Sequence, residues 1–190
     1  YDDKSAAMSA ARFWWMLKAI GHKKVQVLNG GFQAAKIHGF PVNDKIPNPQ
    51  PLSAYLTQTW QLPMAELEEV STASEKAGQI IIDVREAERF LGIKEPIDLI
   101  AGHIPGAINL PFSENLDENG FFLPKETLKE KYLKAFNGKT SNDIIVHCGS
   151  GVTACHTLLA IAHAGLNSPK LYVGSWSEWS RNDLPIAPER

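Results

Sequence analysis

Apolar positions recur in this chain at two spacings, and the spacing changes from segment to segment. Residues 5–20 place Ala6, Ala7, Ala10, Phe13, Trp14, Leu17 and Ile20 at helical intervals, and Gly21 follows as a C-cap. Residues 25–28 read as a short strand closed by Asn29-Gly30-Gly31, and residues 32–38 as a short helix stopped by Gly39 and Pro41. Helix, strand and helix within about forty residues carry more apolar surface than so short a unit can bury alone. From 41 to 63 no long period appears and prolines stand at 41, 47, 49, 51 and 63, the composition of an extended linker.

A second region alternates the two patterns. Helical spacing over 64–77 is followed by the apolar strand 79–84, a short helix at 86–91 and a strand at 108–110. An amphipathic helix over 126–136 leads to the strand 143–147. A helix at 153–165, a strand at 170–173 and a last short helix from 174 complete the series. Strands alternating with helices predict an α/β fold with a parallel sheet covered on both faces. The order helix, glycine, short strand, glycine, helix occurs twice, at 6–32 and 153–176, and aligning the copies sets Asp2 or Asp3 where the second has Cys148.

Composition narrows the function classes. A net charge of −2 in 190 residues gives no basic stripe for nucleic acid, and no apolar run reaches the length of a membrane span. The two cysteines, Cys148 and Cys155, are two helical turns apart, about 10 Å along a helix axis. A disulfide scaffold is therefore not expected, and a reducing, cytoplasmic setting is. Histidines 22, 38, 103, 147, 156 and 163 lack zinc-type pairing, so no metal site is expected.

The chemistry concentrates in His147-Cys148-Gly149-Ser150-Gly151-Val152-Thr153-Ala154. Ile144-Ile145-Val146 places Cys148 at the C-terminal end of a buried strand, where open α/β sheets bind ligands. A free thiol is mostly protonated at neutral pH. A helix N-terminus favours the anion by about 0.3–1 kcal/mol, up to about 2 when partly buried, so loop N–H groups have to supply the rest. Gly149 and Gly151 suit such a loop because they accept positive φ, and the sulfur has to face a cavity. Ser150 and Thr153 add hydroxyls, Thr153 serving either substrate or the helix N-cap. Arg89 is suited to a carboxylate or sulfonate, or to an ion pair with a nearby Glu. Asp83 and Arg85 read as an architectural pair, His103 as a turn hydrogen bond, His147 as facing away from the site, Cys155 as a buried helix residue or else a resolving thiol, and Trp176 and Trp179 as core or else walls of the pocket. A cysteine phosphatase needs arginine where Ala154 stands.

Asp83-Val84-Arg85-Glu86 with Arg89-Phe90, Gly102 to Ala107, Cys148 to Ala154 and Leu171 to Trp179 together resemble the rhodanese superfamily of sulfurtransferases in its tandem two-domain form. The resemblance implies a rhodanese-like parallel five-stranded sheet flanked by helices at 64–190, a linker at 42–63, and at 1–41 the rear half of an inactive N-terminal rhodanese-like domain. It implies transfer of sulfane sulfur through a Cys148 persulfide, with Arg89, Gly149, Ser150, Gly151, Val152 and Thr153 binding a small anionic donor. The implied donor is thiosulfate or 3-mercaptopyruvate. The loop resembles that of mercaptopyruvate enzymes, whereas Pro96-Ile97-Asp98 lacks their second arginine. A thiol or cyanide is the acceptor, no organic cofactor is required, and a companion N-terminal segment of the same protein is an expected partner. The alternative is a non-catalytic rhodanese-like module that binds a partner or carries persulfide.

Overall fold

In the computed structural model, which describes residues 1–50, 54–57, 59–76 and 78–188, the β-branched runs pair as one sheet. Its strands are β1 (Met64–Ala65), β2 (Ile80–Asp83), β3 (Ile108–Asn109), β4 (Ile144–His147) and β5 (Lys170–Tyr172), in the order β1-β5-β4-β2-β3. Every pair is parallel, with Ile82 opposite Val146 and Val146 opposite Leu171 at the centre. The helices are α1 (Ala10–Ala19), α2 (Gly31–Ile37), α3 (Leu67–Glu75), α4 (Ala87–Phe90), α5 (Lys125–Phe136), α6 (Val152–His163) and α7 (Ser175–Trp179).

Side chains alternate along a strand, so each strand serves two cores. Ile82, Ile144, Val146 and Leu171 meet Trp15 of α1, Leu128 and Tyr132 of α5, and Leu158 and Ile161 of α6. Ile81, Ile145 and Tyr172 meet Val70 of α3 and the two tryptophans of α7 on the other face. Burying one such isoleucine stabilises by on the order of 1.5–3 kcal/mol. That two-sided burial sustains strands of only two to four residues. α6 is buried on most of its circumference because α1 lies against it from outside the sheet.

Four segments depart from the sequence expectation. Residues 5–9 are not helical: the Asp2 carboxylate accepts N–H groups from Lys4, Ala6, Ser9 and Ala10 at 2.9 Å and from Met8 at 3.3 Å. Ser5 and Ala6 take φ of 51° and 70° to permit this, a case of a short polar side chain outcompeting the helix for backbone donors. α1 buries Ala10 of the expected set and half-buries Trp14 against the core, but its most buried residues are Ala11, Trp15 and Ala19, and Phe13 is exposed. Residues 25–28 form no strand, since none of the described residues offers them a ladder. At 64–77 the chain first pairs as β1, where Leu171 N–H donates to the Pro63 carbonyl at 3.1 Å, and the helix starts only at Leu67. Ala77 of that expected helix, and Pro51, Leu52, Ser53 and Gln58 of the expected linker, lie outside the described residues. The rest of 42–63 is neither helix nor strand. Among the described residues no helix is long and apolar enough to cross a membrane.

Candidate active site

β4 and β5 are parallel neighbours, so the turns that follow them meet at the sheet's C-terminal edge. β4 delivers Cys148, and β5 delivers the first turn of α7. Cys148 N–H donates to Ser175 Oγ at 3.2 Å, and the Ser175 hydroxyl donates to the Tyr172 carbonyl at 2.9 Å. Trp176 N–H donates to the Cys148 carbonyl at 3.0 Å, and Ser177 N–H to the Gly149 carbonyl at 2.8 Å. Ser175 sits at φ 56°, a left-handed conformation that costs a non-glycine residue roughly 1–2 kcal/mol. The strain holds its buried hydroxyl under the cysteine backbone.

Gly151 is the N-cap of α6 at φ 73°. A Cβ there would stand 2.8 Å from the Val173 carbonyl oxygen and 3.0 Å from Arg12 Nη1. The expectation that both loop glycines use positive φ is corrected at Gly149, which does not; a Cβ at Gly149 would meet Arg89 Nη2 at an ordinary 3.5 Å. Thr153 is not the N-cap, because the helix already begins at Val152 and has no side-chain cap. Thr153 and Val152 are half-buried and Ser150 is exposed. Among the described residues nothing accepts the N–H groups of Gly149, Ser150, Gly151, Val152 and Thr153, which therefore remain as donors around the loop.

Residues 66–182 match the rhodanese-like domain family. This chain belongs to that family. It is 38% identical over 180 residues to a probable 3-mercaptopyruvate sulfurtransferase of Pseudomonas aeruginosa, covering 94% of this chain and 63% of that protein. It is 35% identical over 192 residues to a thiosulfate sulfurtransferase of Mus musculus, covering 97% and 63%. The 3-mercaptopyruvate sulfurtransferase structure from Leishmania major superposes with a TM-score of 0.79 at 34% identity, over 95% of this chain and 50% of that one. The chain thus spans a little under two thirds of the length of these curated relatives.

In this rhodanese-like domain Arg89 lies beside Gly149, and its fork is engaged in the ion pair with a nearby Glu that was one of its two sequence readings. Nε and Nη2 donate to Glu95 at 3.1 and 2.7 Å, and Nη2 also reaches Asp98 at 3.2 Å. Asp98 in turn accepts from Ser177 Oγ at 2.6 Å, which ties Arg89 back to α7. Burial works against ionising Glu95, yet hydrogen bonds from Arg89 and from the N–H groups of Asp98 and Ile97 outweigh it and hold its carboxyl below the usual range. Asp83 and Arg85 form the expected buried pair at 2.6 Å, with Arg85 also on Glu95 and over the Trp176 ring. A buried pair of this kind adds little stability over apolar packing; it fixes the end of β2.

Cys148 is 2% exposed and packs into the core shared with α1 and α6. The open sulfur the sequence called for is thus not observed: Cys148 is covered by its neighbours in this core. A groove of about 770 Å³ lies elsewhere, between β3 and α5, lined by Asn109, Leu110, Lys131 and Lys134 among others. Trp176 and Trp179 are fully buried core residues. His103 Nδ1–H donates to the Phe90 carbonyl at 2.7 Å. His147 Nδ1–H donates to the Cys148 carbonyl at 3.1 Å, and burial lowers its pKa, so it stands as a neutral ring. Burial pushes the Cys155 thiol up to about 12, which leaves it protonated and donating to the Gly151 carbonyl at 3.2 Å. Among the described residues no group of three His, Cys, Asp or Glu side chains is placed to hold a metal.

Sequence reasoning did not anticipate Ser175, Asp98 or Arg12. Ser175 gives no local signal, because its φ is imposed by the two turns it joins. Arg12 does: it falls at helical spacing with Trp15 and Ala19, the face that is buried.

Proposed function

We propose that the protein is a sulfurtransferase in which Cys148 carries a persulfide. The observation that supports this most is the position of Cys148, directly after a central parallel strand, with α7 holding its backbone and five N–H donors following it. The Cys148 thiolate attacks the outer sulfur of thiosulfate, the S–S bond breaks and sulfite leaves. With 3-mercaptopyruvate the C–S bond breaks, the thiol proton passes to carbon, and pyruvate leaves. The persulfide anion sits among the loop N–H groups contributed by Gly149, Ser150, Gly151, Val152 and Thr153, and Arg89 orients the donor once it is released from Asp98. Cyanide or an acceptor thiolate then takes the terminal sulfur and regenerates the Cys148 thiolate. The names of the relatives, which include both donors, support this class.

Residues 1–41 are, in this proposal, the rear half of an inactive N-terminal rhodanese-like domain, joined by 42–63 to the catalytic domain at 64–190. Asp2 ahead of α1 and Cys148 ahead of α6 support that correspondence. A companion N-terminal segment of the same protein completes the first domain. Both cysteines are free thiols, in keeping with a cytoplasmic setting.

A second reading, a non-catalytic persulfide carrier, is favoured by one observation, the 2% exposure of Cys148. Cyanide-dependent thiocyanate formation separates the two. Turnover with either donor that is abolished in Cys148→Ser supports the enzyme. A single stoichiometric release of thiocyanate from preloaded protein, with no turnover, supports the carrier.

A further inference from the structure

α1 turns one cation towards the cysteine loop. Arg12 shares a helical face with Trp15 and Ala19, which are 1% and 0% exposed. Its Nη1 donates to the Gly151 carbonyl at 3.0 Å and lies 3.9 Å from Cys155 Sγ. The Cys155 thiol donates to the same carbonyl at 3.2 Å. At an ordinary helix start the N-cap carbonyl accepts the first intrahelical N–H; here two side chains hold it, one of them from the opposite end of the sequence.

This has a consequence for the loop. In a trans peptide the N–H points away from the C=O. Pinning the Gly151 oxygen towards α1 therefore turns the Val152 N–H to the other side, and that N–H is one of the donors left without a protein acceptor. A guanidinium is permanently charged, so its bond to a carbonyl is stronger than a neutral one. The loop is otherwise built from glycines and a serine, residues that do not fix their own peptide orientation.

We propose that Arg12 is a positioning residue for the Cys148 loop, holding the Gly151–Val152 peptide in the orientation the persulfide needs. The inference rests on the sulfurtransferase reading, and its test is chosen to stand apart from it. The 190-residue chain is compared with Arg12→Met, Arg12→Gln and Arg12→Lys. The first measurement is the rate at which iodoacetamide alkylates Cys148 at fixed pH, located by peptide mass spectrometry. The second is kcat and KM for thiocyanate formation.

Arg12→Met is expected to slow alkylation and to lower kcat by roughly 10- to 100-fold, the scale of a small misplacement at a reacting centre. KM should change by less than about threefold, because a positioning role through the Gly151 carbonyl involves no contact between Arg12 and the donor. Arg12→Lys should recover part of the loss, and millimolar guanidinium should partly rescue Arg12→Met, which a merely structural role would not produce. Combined with Cys155→Ala the losses should be non-additive, since both side chains hold one oxygen. Wild-type alkylation and kcat in Arg12→Met would overturn the proposal. If that variant does not fold, wild-type alkylation in both Arg12→Gln and Arg12→Lys overturns it. If the unaltered chain turns over neither donor, the sulfurtransferase reading fails, and the alkylation rates still decide the role of Arg12.

Discussion

Ser175 holds Cys148 by its backbone: the Ser175 hydroxyl accepts the Cys148 N–H and itself donates a hydrogen bond to the Tyr172 carbonyl. The price is a left-handed backbone at Ser175. Ser175→Ala keeps that strain and leaves a buried N–H without an acceptor, at a cost of about 1–3 kcal/mol. Ser175→Gly loses the same bond but relieves roughly 1 kcal/mol of backbone strain. Urea denaturation should therefore rank wild type above Ser175→Gly, and Ser175→Gly above Ser175→Ala.

The two loop glycines differ in kind, and alanine scanning should separate them. Gly151→Ala sets a Cβ 2.8 Å from a backbone oxygen in a conformation only glycine adopts freely. A loss of about 1–3 kcal/mol is expected from the overpacking, with turnover falling alongside. Gly149→Ala meets nothing closer than 3.5 Å and should change stability by less than about 0.5 kcal/mol. Equal losses at both positions would refute this geometry.

His156 makes stability depend on pH. It is buried, stacked on Phe122, and donates from Nε2 to the Ser5 carbonyl at 3.1 Å. Burial pulls its pKa down to about 4, and the Ser5 carbonyl and the Asp2 charge offset this only in part. The unfolded ring takes a proton near pH 6.5. Stability from this group is complete above that pH and drains away as pH falls from 6.5 towards 4, by up to about 3 kcal/mol. In His156→Gln the urea midpoint should fall less between pH 7 and pH 4.5 than in wild type.

Glu95 acts in a lower range. Its folded pKa lies below its unfolded value, so its stabilisation is present above the unfolded carboxylate range and is lost as pH falls through the folded value. Glu95→Gln should be less stable than wild type at pH 7, and the gap should close in acid. Thermal melts at pH 7 and pH 3 test both halves of that statement.

How far the sequence revealed this molecule depended on the scale of the signal. The run from Ile144 to Val146, the small residues after Cys148 and the helix that follows were legible because a buried parallel strand and a helix leave long apolar patterns. Two-residue β1 leaves none, and its pairing is decided by the open edge of β5. The buried face of α1 was read only in part, Ala10 but not Ala11 and Ala19, because alanines read the same on either side of a helix and the partner α6 decides between them. Donor residues around Cys148 were readable as types, Gly149 to Thr153, whereas their tethers, Ser175 and Arg12, come from distant turns. Arg89 fell between: the ion pair with a nearby Glu was one of its two readings and is made with Glu95, whereas the added bond to Asp98 left no signal.

The turn at the start of the chain has its own occupant. Five amides close on the Asp2 carboxylate and hold its pKa below the ordinary range, even though burial pushes the other way. That cup is plugged by its own side chain, so it has no vacancy for a foreign anion. It also moors the root of α1, and Arg12 with it. Across neutral and mildly acidic water the mooring keeps its charge, so the root of the helix that carries Arg12 stays tied to an anion its own chain supplies.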